Sequence, residues 1–392
     1  MKNFLKMRSD LSNAENVVCI AAISVYMPYQ ITAAVILILS AYILFKTKIK
    51  ETVFCHLGAL LVPIFSVISA ITGIVQKNYL GAGASVLFFL MMVIGFYIRT
   101  VMTTEIFEKA LDLCCIASIF ASLLIILEKI IYISAESHRC FGDFFNNMYL
   151  SMFFHPNYLG SIMAATILVC AYKVIVKKTD KKYYYSIAVL AAAAMFLTES
   201  MFAWIEVLAG LSILLLLARR HQLLGILFIL AAFGCTVLYF VPELFPRLSD
   251  IGGSFGGRVR IWDLALDKIP DSLLFGHGFF GYYNISQNTP DSFVTTHAHN
   301  IFFEPLLSFG IVGSAILFAC VFIYFHKVVL CKNLLRKSGI TSLIMALITG
   351  VLIHSIIDMT MLWIQPAMLY CVIFGGLGAD EKTLHRIFKT KR

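Results

Sequence analysis

The chain reads as an all-α polytopic membrane protein, with about twelve transmembrane helices and one large extracytoplasmic loop between helices nine and ten. Three observations predict this. The sequence is 60% hydrophobic and only 14% charged, against roughly 25% charged in soluble domains. Its mean hydropathy is +0.87, more apolar surface than a soluble fold of 392 residues could bury. Its 33 Phe and 17 Tyr suit lipid-facing and interfacial positions. Residues 1–392 are therefore taken as a single integral membrane domain.

Apolar runs predict spans near residues 17–28, 30–45, 53–75, 80–98, 110–133, 157–173, 183–198, 201–218, 222–241, 304–326, 339–358 and 361–378. Val17 to Phe45 is too long for one crossing, which needs about 20 residues. Pro28-Tyr29-Gln30 marks a break, so a short hairpin is expected there. Charge supports the hairpin. It puts Lys2, Lys6 and Arg8, Lys46, Lys48 and Lys50, and Lys173, Lys177, Lys178, Lys181 and Lys182 on one side. Arg219, Arg220, Lys327, Lys332, Arg336, Lys337, Arg386, Lys389, Lys391 and Arg392 join them. Positive charge marks the cytoplasmic side. The expectation is a multi-pass protein of the cytoplasmic membrane with both termini inside.

The net charge of +9 is then a matter of topology. The bases are scattered among short loops, which speaks against nucleic-acid binding. The ten cysteines lie mostly in apolar runs, such as Cys114, Cys115 and Cys170, and only Cys140 looks extramembranous. There is no disulfide framework and no metal-type spacing.

The opposite face carries the chemistry. Its polar segments are Ser134 to Asn157, the Thr198-Glu199-Ser200 turn, and the loop of residues 242–299. A connection this long is functional or disordered. Its mixture of Gly, Arg, Trp, Asp, Tyr and His is not that of a low-complexity spacer. Residues 242–299 are expected to be an extracytoplasmic catalytic loop. Arg139, Arg247, Arg258, Arg260 and Lys268 place positive charge against the topological trend. An anionic ligand at that face accounts for it, most strongly at Arg258 and Arg260.

Four motifs follow one another in this region. They are Gly257-Arg258-Val259-Arg260-Ile261-Trp262, then Pro270 with Gly276-His277-Gly278, then His297-Ala298-His299-Asn300, then Gly310-Ile311-Val312-Gly313. In order and spacing they resemble the O-antigen ligase and polymerase family. Its members carry a G-R-x-x-I-W start, a P…G-x-G middle and an H-N-x9-G-x-x-G end. His155-Pro156-Asn157-Tyr158-Leu159-Gly160 is similar to the family's N-P-N-x-x-G element, and His354 to Asp358 resembles its late H-x3-D. One position departs. Where the family often has T-x-S-R, this chain has Thr198-Glu199-Ser200-Met201. Met201 removes a bidentate phosphate partner, which leaves a polymerase more comfortable than a lipopolysaccharide ligase.

The resemblance implies a membrane glycosyltransferase for cell-surface polysaccharide. The donor would be an undecaprenyl-diphosphate-linked oligosaccharide, used at the outer face of the cytoplasmic membrane, and the acceptor a glycan or a lipid-linked core. It implies an inverting transfer with no cofactor, no metal and no covalent intermediate.

The residue chemistry agrees. A diphosphate leaves without a proton, so the reaction needs a base for the acceptor hydroxyl and cations for the departing charge. His299 suits the first role and Arg258 the second. Further substrate-binding candidates are Arg260, Arg139, Asn300, His297, Asn157, His354, Asp358 and Glu206. Asn300 is placed to orient a sugar or the imidazole, and His297 is a substitute base. His277, between two glycines, reads as a turn residue. His354 and Asp358, four apart on a span, would share a face, as would Glu199 and Glu206, seven apart. Gly310 and Gly313 read as a packing face of one helix. No Asp-x-Asp pair accompanies the loop, so nothing specific points to a metal ion.

Two other classes compete. A flippase or transporter of lipid-linked sugars also suits twelve spans, but it predicts repeats and interrupted midplane helices, and no repeat relates 1–200 to 201–392. A non-catalytic assembly protein is kept open by Met201.

Overall fold

The computed structural model describes residues 2–135, 152–242, 251–330 and 339–380. Among them the regular structure is entirely helical. The chain opens with α1 (Lys2–Ser24) and α2 (Tyr29–Lys46), which pack on each other across the break at Pro28. A single turn, α3 (Ile49–Thr52), precedes α4 (Leu57–Val75), α5 (Tyr79–Val101) and α6 (Thr104–Ala135). Then come α7 (Pro156–Ile175), α8 (Lys181–Leu197), α9 (Met201–Leu217) and α10 (His221–Phe240). The long loop contains α11 (Ile251–Lys268) and the short α12 (Gly281–Gln287). The chain ends with α13 (Phe303–Leu330), α14 (Gly339–His354) and α15 (Ile364–Phe374).

Seven of these helices are long and apolar enough to cross a membrane: α2, α4, α5, α6, α7, α10 and α13. Three shorter apolar helices, Met201–Leu217, Gly339–His354 and Ile364–Asp380, accompany them. Two boundaries differ from the sequence reading in ways that matter for the site. The span expected over 339–358 stops at His354, and the last one starts at Ile364. Asp358 therefore lies in a non-helical link.

The bundle is organised around α7. Every residue from Pro156 to Cys170 is buried, which requires small or apolar side chains around the whole helix. Gly160 shows the closeness. A Cβ there would lie 2.7 Å from that of Ser200. Helices α6, α8, α9, α14 and α15 all pack on α7. At its far end Lys173, nearly fully buried, pairs with Glu108 at 2.8 Å and Asp112 at 2.5 Å. Lys173 is thus a partnered residue of the bundle and not one of the free loop bases. By contrast α10 has no buried residue and packs on α9 along one side.

Helix α13 is not continuous. Gly310 has φ 61° and ψ −168°, far from helical values. A break exposes backbone groups that need partners, above all at membrane depth. Segment 273–278 supplies them. Ile311 N–H donates to Leu273 O at 2.9 Å, and Val312 N–H to Leu274 O at 3.0 Å. In return His277 N–H donates to Leu307 O at 2.9 Å, and Gly278 N–H to Ser308 O at 2.7 Å. From the other side, the Asn78 amide at the head of α5 donates to the carbonyls of His277 and Phe279, at 3.1 and 2.7 Å. The sequence reading of Gly310 and Gly313 as one packing face is corrected here. Gly310 is the break itself, and its missing Cβ makes room for the Leu274 backbone.

Gly310→Ala is expected to lower the thermal unfolding temperature measurably. The left-handed backbone alone costs about 1–3 kcal/mol for a non-glycine residue, and the added Cβ collides with Leu274. A melting curve in detergent unchanged from wild type would show that the break is not held in this way.

Candidate active site

Where α11, the loop after α12 and the link after α14 converge, four side chains gather on one carboxylate. Asp358 has no exposed surface. Its Oδ1 accepts from His297 Nε2 at 2.9 Å and from His299 Nδ1 at 2.8 Å. Its Oδ2 accepts from the Asn157 amide, and Arg258 Nη2 lies 3.6 Å away. A carboxylate only accepts, so both imidazoles donate to it, and this fixes their tautomers. The ring proton of His299 sits on Nδ1. The basic lone pair is then on Nε2, which accepts from the Thr295 hydroxyl at 2.8 Å. In His297 the lone pair is on Nδ1 and meets Thr296 at 2.9 Å.

A cavity of about 610 Å³ decides which histidine can react. His299, Thr295 and Arg258 line it, together with Asn157, His155, Glu199 and Met201. His297 does not line it. The Thr295 hydroxyl, hydrogen-bonded to Nε2, stands where a substrate hydroxyl would present its proton. His299 also has a left-handed backbone, φ 52°. Such strain persists where surrounding contacts over-determine it, and those contacts can be named. Glu304, buried in the first turn of α13, accepts from Ala298 N–H at 2.6 Å and from the Ser308 hydroxyl at 2.6 Å. Asn300 accepts from the N–H groups of Phe302 and Phe303, capping α13, and its amide donates to Ile356 O at 2.8 Å.

Burial pushes the His299 imidazole down to about 3, more than the adjacent Asp358 raises it back. Burial would also raise the Asp358 carboxyl, but His299, His297 and Arg258 outweigh it and hold the group well below the usual carboxylate range. At neutral pH the pair is a neutral imidazole oriented by an ionised carboxylate, which is the state a general base requires. Arg258 brings the positive charge. Its Nη1 is buried without a hydrogen-bond partner among the described residues. An arginine that lines a cavity and keeps an unpartnered guanidinium N–H suits an anionic ligand.

The expected site residues divide accordingly. His299, Arg258 and Asn157 line the cavity. His297 and Asp358 are not part of its lining. Arg260 is corrected. It is exposed and absent from the cavity wall, because two residues along a helix turn about 200° away from Arg258. Asn300 is a positioning residue whose side chain is consumed by the cap. His354 and Glu206 form a separate pair at 2.7 Å, both without exposed surface. The Ser161 and Tyr370 hydroxyls donate to Glu206 at 3.2 and 3.3 Å. The pair does not line the cavity, nor does His354 share a face with Asp358, since the helix ends between them. Glu199 precedes α9 and lines the cavity, whereas Glu206 is inside the bundle. Arg139 lies outside the described residues. His277 is a turn residue, with Nε2 3.1 Å from Lys268 O. Glu304 and Thr295 escaped the sequence reading. For Glu304 a signal existed, an ionisable residue at the head of an apolar span; for Thr295 there was none.

His297, His299 and Asp358 also bring metal-type donor atoms within 4.8 Å of one another. Contacts of 2.8–2.9 Å are those of N–H···O bonds. Donors around a tetrahedral zinc with bonds of roughly 2.0–2.1 Å would stand farther apart. The arrangement fits a hydrogen-bonded base better than a metal shell.

Residues 186–318 match the family model described as O-antigen ligase. Over that stretch the chain is similar to the family. The match runs from α8 through the break in α13 and includes Arg258, Thr295, His297, His299, Asn300 and Glu304. Asn157 and Asp358 fall outside it, so the carboxylate that the two histidines share comes from beyond the matched segment, in the link after α14. No curated protein matches the sequence.

The depressed imidazole sets a pH dependence. His299 keeps its base form until the pH falls towards about 3, so kcat/KM is expected to show no acid limb from this group between pH 5 and 8. An acid limb centred near 6.5, the value of an unperturbed histidine, would mean that the buried pair does not form.

Proposed function

We propose that this protein is a membrane glycosyltransferase that polymerises or ligates an undecaprenyl-diphosphate-linked oligosaccharide at the outer face of the cytoplasmic membrane. One observation carries the reading. His299, whose Nε2 carries the basic lone pair, and Arg258, whose Nη1 has no hydrogen-bond partner among the described residues, line one cavity. In the reaction, Nε2 removes the proton from an acceptor hydroxyl as its oxygen attacks the anomeric carbon. The bond from that carbon to the diphosphate oxygen breaks, and the diphosphate leaves with the electron pair beside Arg258. A single displacement of this kind inverts the anomeric centre. Asp358 keeps the Nδ1 proton in place and stabilises the imidazolium. Phe293 and Val294, each about half exposed at the cavity edge, suit a polyprenyl chain. Met201 on the cavity wall leaves the diphosphate to Arg258, which favours polymerase over ligase.

We read twelve crossings: α1, α2, α4 to α10, α13, α14 and α15. Both termini then lie in the cytoplasm, and residues 242–299 form the catalytic loop outside. In cells whose Cys55, Cys140 and Cys235 are replaced, an impermeant maleimide should label Asp291→Cys and spare Arg219→Cys. Labelling of only the second would invert the topology.

Purified protein with lipid-linked oligosaccharide should make polymer with chelator present. His299→Ala and His299→Gln should both lose at least about 10²-fold in kcat, since a positioned base gives about 10²–10⁴-fold and Gln cannot take a proton. Arg258→Ala should weaken donor use by roughly 1.5–3 kcal/mol, with Arg260→Ala near wild type. Full activity in His299→Gln would exclude base catalysis there. Transport without any transfer would favour a flippase.

A further inference from the structure

Next to the cavity the aromatic side chains are arranged in an unusual way. His155 lines the cavity, and its ring lies 5.5 Å from that of Tyr158. Tyr158 is nearly parallel to Trp363, at 5.3 Å and 11°. Trp363 stacks in turn on Phe154, at 4.4 Å and 20°. Tyr29 closes the group, its ring nearly perpendicular to that of Phe154, at 6.0 Å and 80°. Phe154 leaves 41% of its surface exposed. Its backbone is left-handed, φ 65°, a conformation that a bulky residue keeps only under constraint.

Trp363 separates this group from an ordinary interfacial belt. Belt tryptophans keep the indole N–H wet or bonded to headgroups. The Trp363 Nε1 is buried and has no hydrogen-bond partner among the described residues. A lipid chain offers it no acceptor. A sugar offers both halves of a match: a flat face of C–H bonds for the exposed ring, and hydroxyl oxygens for the N–H. The position favours the acceptor over the donor. The donor's diphosphate belongs with Arg258 inside the cavity, while the aromatic group joins that cavity from the side, through His155. It also adjoins Asn157, whose amide holds Asp358.

We propose that Phe154 and Trp363 form an acceptor-glycan subsite, holding a sugar ring beside the cavity so that its chain presents a hydroxyl to His299. The role as acceptor rests on the glycosyltransferase reading above; the binding of a glycan does not.

The test has two arms on full-length protein in nanodiscs. The first reads binding alone, by saturation-transfer NMR with oligosaccharides from partial acid hydrolysis of the host's surface polysaccharide. Wild type and Phe154→Tyr should bind, and Phe154→Ala and Trp363→Ala should lose at least tenfold in affinity. The second reads transfer. The acceptor KM should rise at least tenfold in both alanine variants, with donor KM and kcat within twofold of wild type. Should Trp363→Ala unfold in a melting curve, the exposed Phe154→Ala decides alone. Undiminished glycan binding in Phe154→Ala, or none in wild type, overturns the subsite. A rise in donor KM in place of acceptor KM overturns the acceptor assignment. Glycan binding lost in the variants, with no transfer by wild type, keeps the subsite and removes the transferase reading.

Discussion

The burial of a single carboxylate, Asp358, is the constraint on which the site depends. Taking an unpaired carboxylate out of water costs several kcal/mol even after relaxation. It is tolerated here because Asn157, His297 and His299 donate to it and Arg258 stands 3.6 Å away. These partners come from three other stretches: the head of α7, helix α11, and the loop leading into α13. The long loop must therefore fold down onto the bundle before the charge is compensated. The same contacts that make burial tolerable set the histidine tautomers. Folding of the loop and the setting of the tautomers are one event.

A second constraint acts on the backbone. A chain that bends near membrane depth must satisfy every peptide group that the bend releases. The broken α13 and the segment 273–278 answer each other's needs, with four backbone hydrogen bonds between them and Asn78 clamping the far side. This gives the glycine spacing a physical meaning. Gly276 and Gly278 take positive φ at 69° and 79°, and Gly310 takes it at 61°. The three permit two backbones to lie against each other where side chains would keep them apart. The loop is consequently anchored on both sides of His299, by this clamp and by Glu304.

How much of this was legible in the sequence depended on the kind of signal. Composition carried the helical membrane class, and motif order carried His299, Arg258 and Asp358 as members of one site. Their roles were less legible. Treating residues 242–299 as loop hid the helix over 251–268, and with it the half-turn that sends Arg260 away from Arg258. The pairing of His354 with Asp358 assumed a helix that continues, and no Gly or Pro within 355–358 marks its end. Asp358 leaves the helix to reach two histidines about sixty residues earlier, a tertiary demand that local pattern cannot show. Glu304 bonds Ala298, the residue between those histidines, and only the folded loop brings that N–H to it. Arg139 lies outside the described residues.

The pair of Glu206 and His354 completes the logic, although neither reaches the cavity. A buried hydrogen-bonded polar pair is weak support for stability, since packed apolar residues of similar size often serve as well. Its value here is positional. Helices α9 and α14 pack on each other, and a Cβ at Gly350 would lie 2.7 Å from Glu206 O, so the two backbones are nearly in contact. At that distance an apolar seam alone allows sliding or rotation, whereas the 2.7 Å bond, with Ser161 and Tyr370 on the same carboxylate, has one register. The carbonyl of His354 then accepts the N–H groups of Ile357 and Asp358, both at 3.0 Å. The turn that carries Asp358 therefore starts from a point fixed inside the bundle. A misplacement of about 1 Å can cost on the order of 10²-fold in rate, and a buried polar network one helical turn away is how this fold limits it.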